Sequence, residues 1–237
     1  MKEKTLGILG GVGPLATAYF MEMIIKMTDA DRDQDHLSMI ITNHPSIPDR
    51  TEYICDNSRP DPLPVMIGDA VKLEKAGSDF IVIPCNTAHF FYDEIQQSVG
   101  IPVLNMLEET IRYAKSKLSG VRKIGVLGTV GTLASGIYKK VCDKHGIEYA
   151  KPDEDIQSRL TEIIFGQIKA GKEPDFASFM QIVENMKKQK CDAVILGCTE
   201  LSVIKRDFNI DRKDIIDPME ALARSAILKC GKKLKHG

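Results

Sequence analysis

Neither sign of charge dominates this sequence: 32 Lys and Arg stand against 33 Asp and Glu, a formal net charge of −1. No global field therefore draws the chain to nucleic acid or to an anionic membrane surface, and neither is expected as a partner. No apolar run approaches the roughly 20 residues that span a bilayer. The first residues, Met-Lys-Glu-Lys-Thr, pass directly into a strand pattern with no secretory-signal features. A cytoplasmic location with reduced thiols is the expectation. Six cysteines stand at 55, 85, 142, 191, 198 and 230. None forms CxxC, and their spacing fits neither a zinc site nor a disulfide framework, so free thiols and no metal are expected. The one basic cluster, Lys229 to His236, reads as a solvated helix end and tail.

What is present is a repeat. Leu6-Gly-Ile-Leu-Gly-Gly-Val-Gly-Pro-Leu-Ala-Thr17 returns as Ile124-Gly-Val-Leu-Gly-Thr-Val-Gly-Thr-Leu-Ala-Ser135, with seven of twelve positions identical. Asp79-Phe-Ile-Val-Ile-Pro-Cys85 matches Asp192-Ala-Val-Ile-Leu-Gly-Cys198. A fainter pair sets Leu104-Asn-Met-Leu-Glu108 beside Ile216-Asp-Pro-Met-Glu220. Two related halves, each with a cysteine just past a buried strand, imply a two-fold site with a thiol on each side.

At 237 residues, with 43% hydrophobic and 27% charged residues, the chain suits one large or two small globular domains. Short apolar runs at 6–9, 39–42, 80–84, 103–106, 124–127, 194–196 and 215–217 read as strands. They run without alternation, which marks strands buried on both faces of a parallel sheet. Helical spacing covers 17–28, 64–75, 108–118, 136–144, 156–169, 175–188 and 219–232. The fold class is α/β: two similar domains related by a pseudo-two-fold axis, each a mostly parallel sheet flanked by helices, with the site in the cleft between them. The expected first domain takes residues 1–114 plus 218–237, the last helix packing back on it. The second takes 115–217.

Ligands of such sheets bind beyond the carboxyl ends of the strands. There the glycine loop Gly10-Gly-Val-Gly-Pro14 permits a tight turn into a helix whose N–H groups favour a carboxylate or phosphate. Gly11-x-Gly13-x-x-Ala16 also satisfies a variant dinucleotide fingerprint. The second copy keeps only Gly128 and Gly131, however, and a dinucleotide does not explain two matched cysteines. Cys85 sits in Pro84-Cys-Asn-Thr-Ala-His89 and Cys198 in Gly197-Cys-Thr-Glu200. Asn86, Thr87 and Thr199 offer donors beside them, and backbone N–H groups past each strand can lower a thiol pKa. The proline-rich loop from Asn43 to Thr51 carries Arg50, able to grip a carboxylate through two parallel bonds, or to pair with Asp49 at the surface. Lys169 reads from periodicity alone as a helix C-terminal cation. His89 stands four residues past Cys85, either to tune that thiol or as a structural histidine. Glu200 can pair with His89 or with a substrate ammonium.

These motifs resemble the aspartate/glutamate racemase family, which works without pyridoxal phosphate. The resemblance rests on Gly10–Pro14, Ile47-Pro-Asp-Arg-Thr51, Pro84-Cys-Asn-Thr-Ala88, Ile168-Lys169 and Gly197-Cys-Thr-Glu200. The Pro-Asp-Arg loop points to the aspartate racemase branch. The resemblance implies a cofactor-free amino acid racemase acting on aspartate, with glutamate as a further substrate, and a homodimer. One thiolate, Cys85 or Cys198, removes the Cα proton and the other thiol reprotonates the opposite face. Substrate binding is implied for Gly11, Arg50, Asn86, Thr87, Ala88, Thr129, Lys169, Thr199 and Glu200. Glutamate racemases that make cell-wall precursors tend to carry histidine where this chain has Glu200. The alternatives are a superfamily isomerase or decarboxylase for another small diacid, or a binding protein for an acidic ligand, though binding alone needs neither thiol.

Overall fold

The computed structural model describes residues 3–235. The chain start before Glu3 and the end of the basic cluster from residue 236 lie outside them. In chain order the first half holds β1 (Thr5–Gly10), α1 (Pro14–Met27), β2 (Ser38–Asn43), α2 (Arg50–Cys55), α3 (Leu63–Lys75), β3 (Phe80–Val82), α4 (Tyr92–Gln97) and α5 (Met106–Lys117). The second half holds β4 (Lys123–Gly128), α6 (Val130–Ala134), α7 (Ile137–Lys144), β5 (Glu148–Ala150), α8 (Glu154–Thr161), α9 (Phe176–Lys188), β6 (Ala193–Gly197), α10 (Thr199–Asp207), β7 (Ile215–Ile216) and α11 (Pro218–Lys229).

The sequence repeat is a structural repeat. The first sheet runs in the order β2-β1-β3 and the second β5-β4-β6-β7, and every pairing is parallel. The matched aspartates do the same work. Asp79 accepts the Thr5 N–H at the start of β1 (2.7 Å), and Asp192 accepts the Arg122 and Lys123 N–H groups at β4 (2.8 and 2.9 Å). The third matched pair supplies helix caps. Asn105 accepts the N–H groups of Leu107 and Glu108 at α5, and Asp217 accepts that of Met219 at α11.

Three expectations change. The run 103–106 is no strand: Val103 makes one bridge to Ile81. Pro102 has no N–H for a ladder, and the Asn105 cap turns the chain at once, so Met106 opens α5. β5 had no signal, because Glu148-Tyr-Ala150 is three residues with no apolar run. The loop expected through Thr51 ends earlier, because Asp49 caps α2 through the Glu52 N–H and makes Arg50 and Thr51 helical. Among the described residues no helix is long and apolar enough to cross a membrane.

Each sheet carries an apolar core on both faces. Ile8, Phe80 and Val82 pack with Phe20 and Ile24 of α1 and with Leu222, Ala226 and Ile227 of α11. On the other face Leu9, Ile81 and Ile83 meet Met66, Ala70 and Leu73 of α3. In the second sheet Ile124, Val126 and Ile195 meet Tyr138 of α7 and Leu107, Ile111 and Ala114 of α5. Leu127, Val194 and Leu196 face Leu160, Phe179, Ile182 and Leu201. Thus α5 follows the first sheet but fills the core of the second, and α11 follows the second but fills the core of the first. Each fully buried Leu or Ile in that exchange contributes on the order of 1.5–3 kcal/mol.

Candidate active site

The glycine loop after β1 is shaped by contact. Gly11 has φ +91°, and a Cβ there would stand 2.2 Å from the His44 backbone nitrogen, so only glycine fits. Its N–H donates to the Thr17 hydroxyl (2.9 Å), which donates to the Gly13 carbonyl (2.9 Å). The turn's polar groups are thereby partly used locally, and Gly11 does not line the cavity described next. In the second copy Thr129 stands where Gly11 does. It caps α6, its hydroxyl accepting the Thr132 N–H (3.1 Å).

The loops of both halves close over one small cavity. Cys85 and Cys198 both line it, with Arg50, Asn86, Thr87, Thr129, Lys169, Thr199 and Glu200. Its free space is about 20 Å³, roughly enough for one water. Of the sequence-predicted site residues, Gly11 and Ala88 are the two not brought to its wall. Ala88 is buried in the core, though its N–H points to the Cys85 thiol.

Hydroxyls bridge the halves here. Thr51 donates to Thr129 (3.1 Å), and Thr87 lies 3.3 Å from Thr129 and 2.7 Å from Thr132. Thr51 and Thr132 had not been singled out. Thr51 follows Arg50 and so had a signal, whereas Thr132 had none.

The first half supplies Cys85, Asn86 and Arg50. Burial pushes the Cys85 thiol up, while the Arg50 guanidinium and the Ala88 N–H oppose that shift. The Arg50 side chain is buried, not paired with Asp49 at the surface. Its Nη1 donates to the carbonyls of Ile47 (3.3 Å) and Pro48 (3.0 Å), and its Nε is buried without a partner among the described residues. Asn86 accepts a hydrogen bond from Tyr138 at Oδ1 (2.5 Å), and its Nδ2 is likewise buried and unpartnered. Two orphaned donors in one cavity wall are groups an anionic ligand would satisfy.

The second half supplies Cys198, Lys169 and Glu200. Cys198 stands at the start of α10, and its Sγ lies 2.9 Å from Glu200 Oε2. Burial, then the Glu200 charge, push this thiol well above its ordinary value, and Lys169 pulls the other way. A backbone N–H lowers each thiol as expected, but desolvation outweighs it and the net shift of both is upward. Lys169 follows a π-helical turn, Glu162–Ile168, which aims its ammonium inward: Nζ lies 3.5 Å from Glu200 Oε1 and 4.9 Å from the centre of the Phe165 ring. Burial disfavours that ammonium, but Glu200 and the two cysteines outweigh it and raise its pKa.

His89 does not face the thiols. Its Nδ1 donates to the Cys85 carbonyl (2.8 Å), and its Nε2 accepts the Met106 N–H at the start of α5 (3.0 Å). Burial lowers its pKa to about 4, so it is a neutral structural histidine, and Glu200 pairs with Lys169 instead. Among the described residues no group of three or more His, Cys, Asp or Glu is placed to hold a metal ion.

The profile of the Asp/Glu/hydantoin racemase family matches residues 9–226. The broad specificity amino-acid racemase RacX of Bacillus subtilis is 33% identical over 228 residues, 94% of this chain and 96% of that protein. The solved aspartate racemase of Picrophilus torridus aligns with a TM-score of 0.81 at 36% identity, covering 98% of this chain and 96% of that one. An aspartate racemase homologue from Pyrococcus horikoshii aligns at 0.78 and 25% identity, covering 96% and 99%. With the profile spanning both glycine loops and both cysteine motifs, the chain belongs to the Asp/Glu/hydantoin racemase family.

Proposed function

We propose that this protein racemises aspartate without a cofactor, by proton transfer between Cys85 and Cys198 through the substrate Cα. The observation that carries this reading is the pair of cysteines from equivalent strand ends, one in each half, on the wall of one cavity. One cysteine, as thiolate, takes the Cα proton. The electron pair moves into the carboxylate as an enolate-like charge. The other cysteine, as thiol, returns a proton to the opposite face. The enzyme is left with its two protonation states exchanged, and solvent resets them.

Thiols are modest bases and the Cα–H is a very weak acid, so stabilising the developing charge supplies much of the effect. The free donors of Arg50 and Asn86 and the Lys169 ammonium are the groups at hand. Arg50 and Lys169 bind substrate carboxylates, while Thr87, Thr129 and Thr199 line the reacting centre. Aspartate is favoured by the likeness to the Picrophilus torridus enzyme over nearly the whole chain.

The test is to incubate each aspartate enantiomer with the protein in D₂O, with nothing added. Loss of optical activity with deuterium at Cα is the expected result. Aspartate that stays unlabelled and optically pure would overturn the proposal.

A further inference from the structure

Resting on the racemase reading, we infer that His44 and Asp69 are positioning residues for the Arg50 carboxylate clamp. Their hydrogen bond pins the start of the loop whose carbonyls hold the Arg50 guanidinium, and so sets where that group stands.

The first observation is Asp69 itself. It lies on α3 among the buried residues Met66, Ala70 and Leu73, and its side chain is 2% exposed. Burying a carboxylate there is costly, and an apolar residue of similar volume would often hold the helix as well or better. Both of its oxygens are committed. Oδ2 accepts from His44 Nδ1 (2.7 Å), and Oδ1 accepts from the Lys72 ammonium (2.8 Å). Lys72 reaches in from the solvent side, its side chain 67% exposed. The arrangement gives the His44 ring a fixed, charged acceptor.

The second observation is what His44 carries. It is the first residue past β2, at the carboxyl edge of the sheet. Its N–H donates to the Gly10 carbonyl (3.3 Å), and its carbonyl accepts the Ile47 N–H (3.3 Å). Both bonds are long beside the 2.7 Å contact with Asp69. Pro45 and Pro48 have no N–H to add. The stretch from 44 to 51 is thus a strap secured at its two ends. At the far end Thr51 packs against Gly131 of the second half and donates to Thr129 (3.1 Å), which places the Arg50 backbone. The Arg50 guanidinium is held instead by the carbonyls of Ile47 and Pro48, which lie between the pins. Loosening His44 leaves the Asp49 cap and α2 in place and lets those carbonyls drift with the guanidinium on them. Ile47 is buried in the core, so the drift is small. A displacement on the order of 1 Å is enough to weaken a two-bonded grip on a carboxylate.

The experiment measures KM and kcat for aspartate, with thermal unfolding of each variant. His44→Phe keeps a ring and loses the donor. KM is expected to rise about fivefold or more, with a smaller change in kcat. Asp69→Leu removes the acceptor from the other side of the bond, at a position whose neighbours are apolar, and should raise KM alike. It keeps the test open should His44→Phe fail to fold. His44→Asn keeps an N–H donor at the δ position and should leave KM within about twofold of native. The decisive comparison is in the Arg50→Lys background, where the guanidinium is already gone. There His44→Phe or Asp69→Leu should change KM by less than about twofold. A merely structural role would lower the Tm and raise KM equally in either background. Equal effects in the two backgrounds overturn the inference. So does a native KM in His44→Phe or Asp69→Leu, or a KM raised as far by His44→Asn as by His44→Phe. Inertness of the native protein toward aspartate overturns the racemase reading itself, and this inference with it.

Discussion

The Tyr138 hydroxyl donates to Asn86 Oδ1 across the two halves at 2.5 Å, and this bond occupies the oxygen end of an amide whose residue lines the cavity. With the carbonyl oxygen occupied, the NH₂ group remains, and its nitrogen has no partner among the described residues. Tyr138→Phe removes the bond and leaves a buried acceptor unpaired, which costs about 1–3 kcal/mol. The amide is then free to rotate and present its oxygen to a substrate carboxylate. Denaturant unfolding should show that loss of stability, and kcat/KM should fall about tenfold or more. Full activity in a destabilised variant would separate Asn86 from catalysis.

Replacing one thiol should split the reaction. In Cys198→Ala, Cys85 still takes a proton from one face and returns one from solvent to that face. In D₂O this variant should exchange the Cα hydrogen of one enantiomer without inverting it. Cys85→Ala should exchange the other. Net racemisation should vanish in both, and its survival in either would refute the two-base account.

Arg50→Lys keeps the charge but loses the planar fork that matches a carboxylate. KM for aspartate should rise about tenfold, because a lost hydrogen bond to a charged group costs about 1.5–3 kcal/mol. Thermal stability should change far less, since Arg50 is tied to the protein only through two carbonyls of its own loop. An unaltered KM would remove the clamp role.

Both cysteines are held above the ordinary thiol pKa by burial, so on the two-base proposal the thiolate it requires is scarce at neutral pH. kcat/KM should therefore rise as pH increases above neutrality, then fall once the donor thiol also ionises. The Glu200 charge is the second largest cause of the Cys198 shift. Glu200→Gln removes it and should draw the alkaline limb to lower pH. Superimposable pH profiles would show that the contact between them has no effect on the proton.

His89 makes acid stability predictable. Its folded pKa is about 4 against an ordinary 6.5. A group lowered on folding gives stability that is complete above the unfolded value and is lost as pH falls through the folded one. Between pH 6.5 and 4 the protein should lose on the order of 3 kcal/mol from this residue. His89→Gln should flatten that part of the unfolding profile, and an unchanged slope would place the proton uptake elsewhere.

The sequence revealed what is local or repeated. The glycine turns, both cysteines and the matched aspartates recur in register, so two equivalent sheets are legible in the sequence. Arg50, Asn86 and Glu200 carried enough chemistry to be named from their motifs, Thr129 and Lys169 came only with the family resemblance, and all five line one cavity. What stayed hidden depends on contacts between distant positions. Asn86 is oriented by a tyrosine 52 residues away. Thr132 joins the hydroxyl bridge only because the two halves meet there. The fall of 103–106 from strand to cap followed from one proline and one asparagine competing with an apolar run. The N–H groups past each strand are legible in the motifs, but the burial that outweighs them at both thiols is not.

The reciprocal placement of α5 and α11 has a consequence for dissection and for motion. A fragment ending near residue 105 would expose the core that α11 covers, and one beginning near 118 would expose the core that α5 covers. Neither piece is a finished protein, although each contains a whole copy of the repeat. The molecule is built as two open shells, each stoppered by the other's last helix. Any widening of the cleft that kept both cores buried would have to leave both stoppers seated.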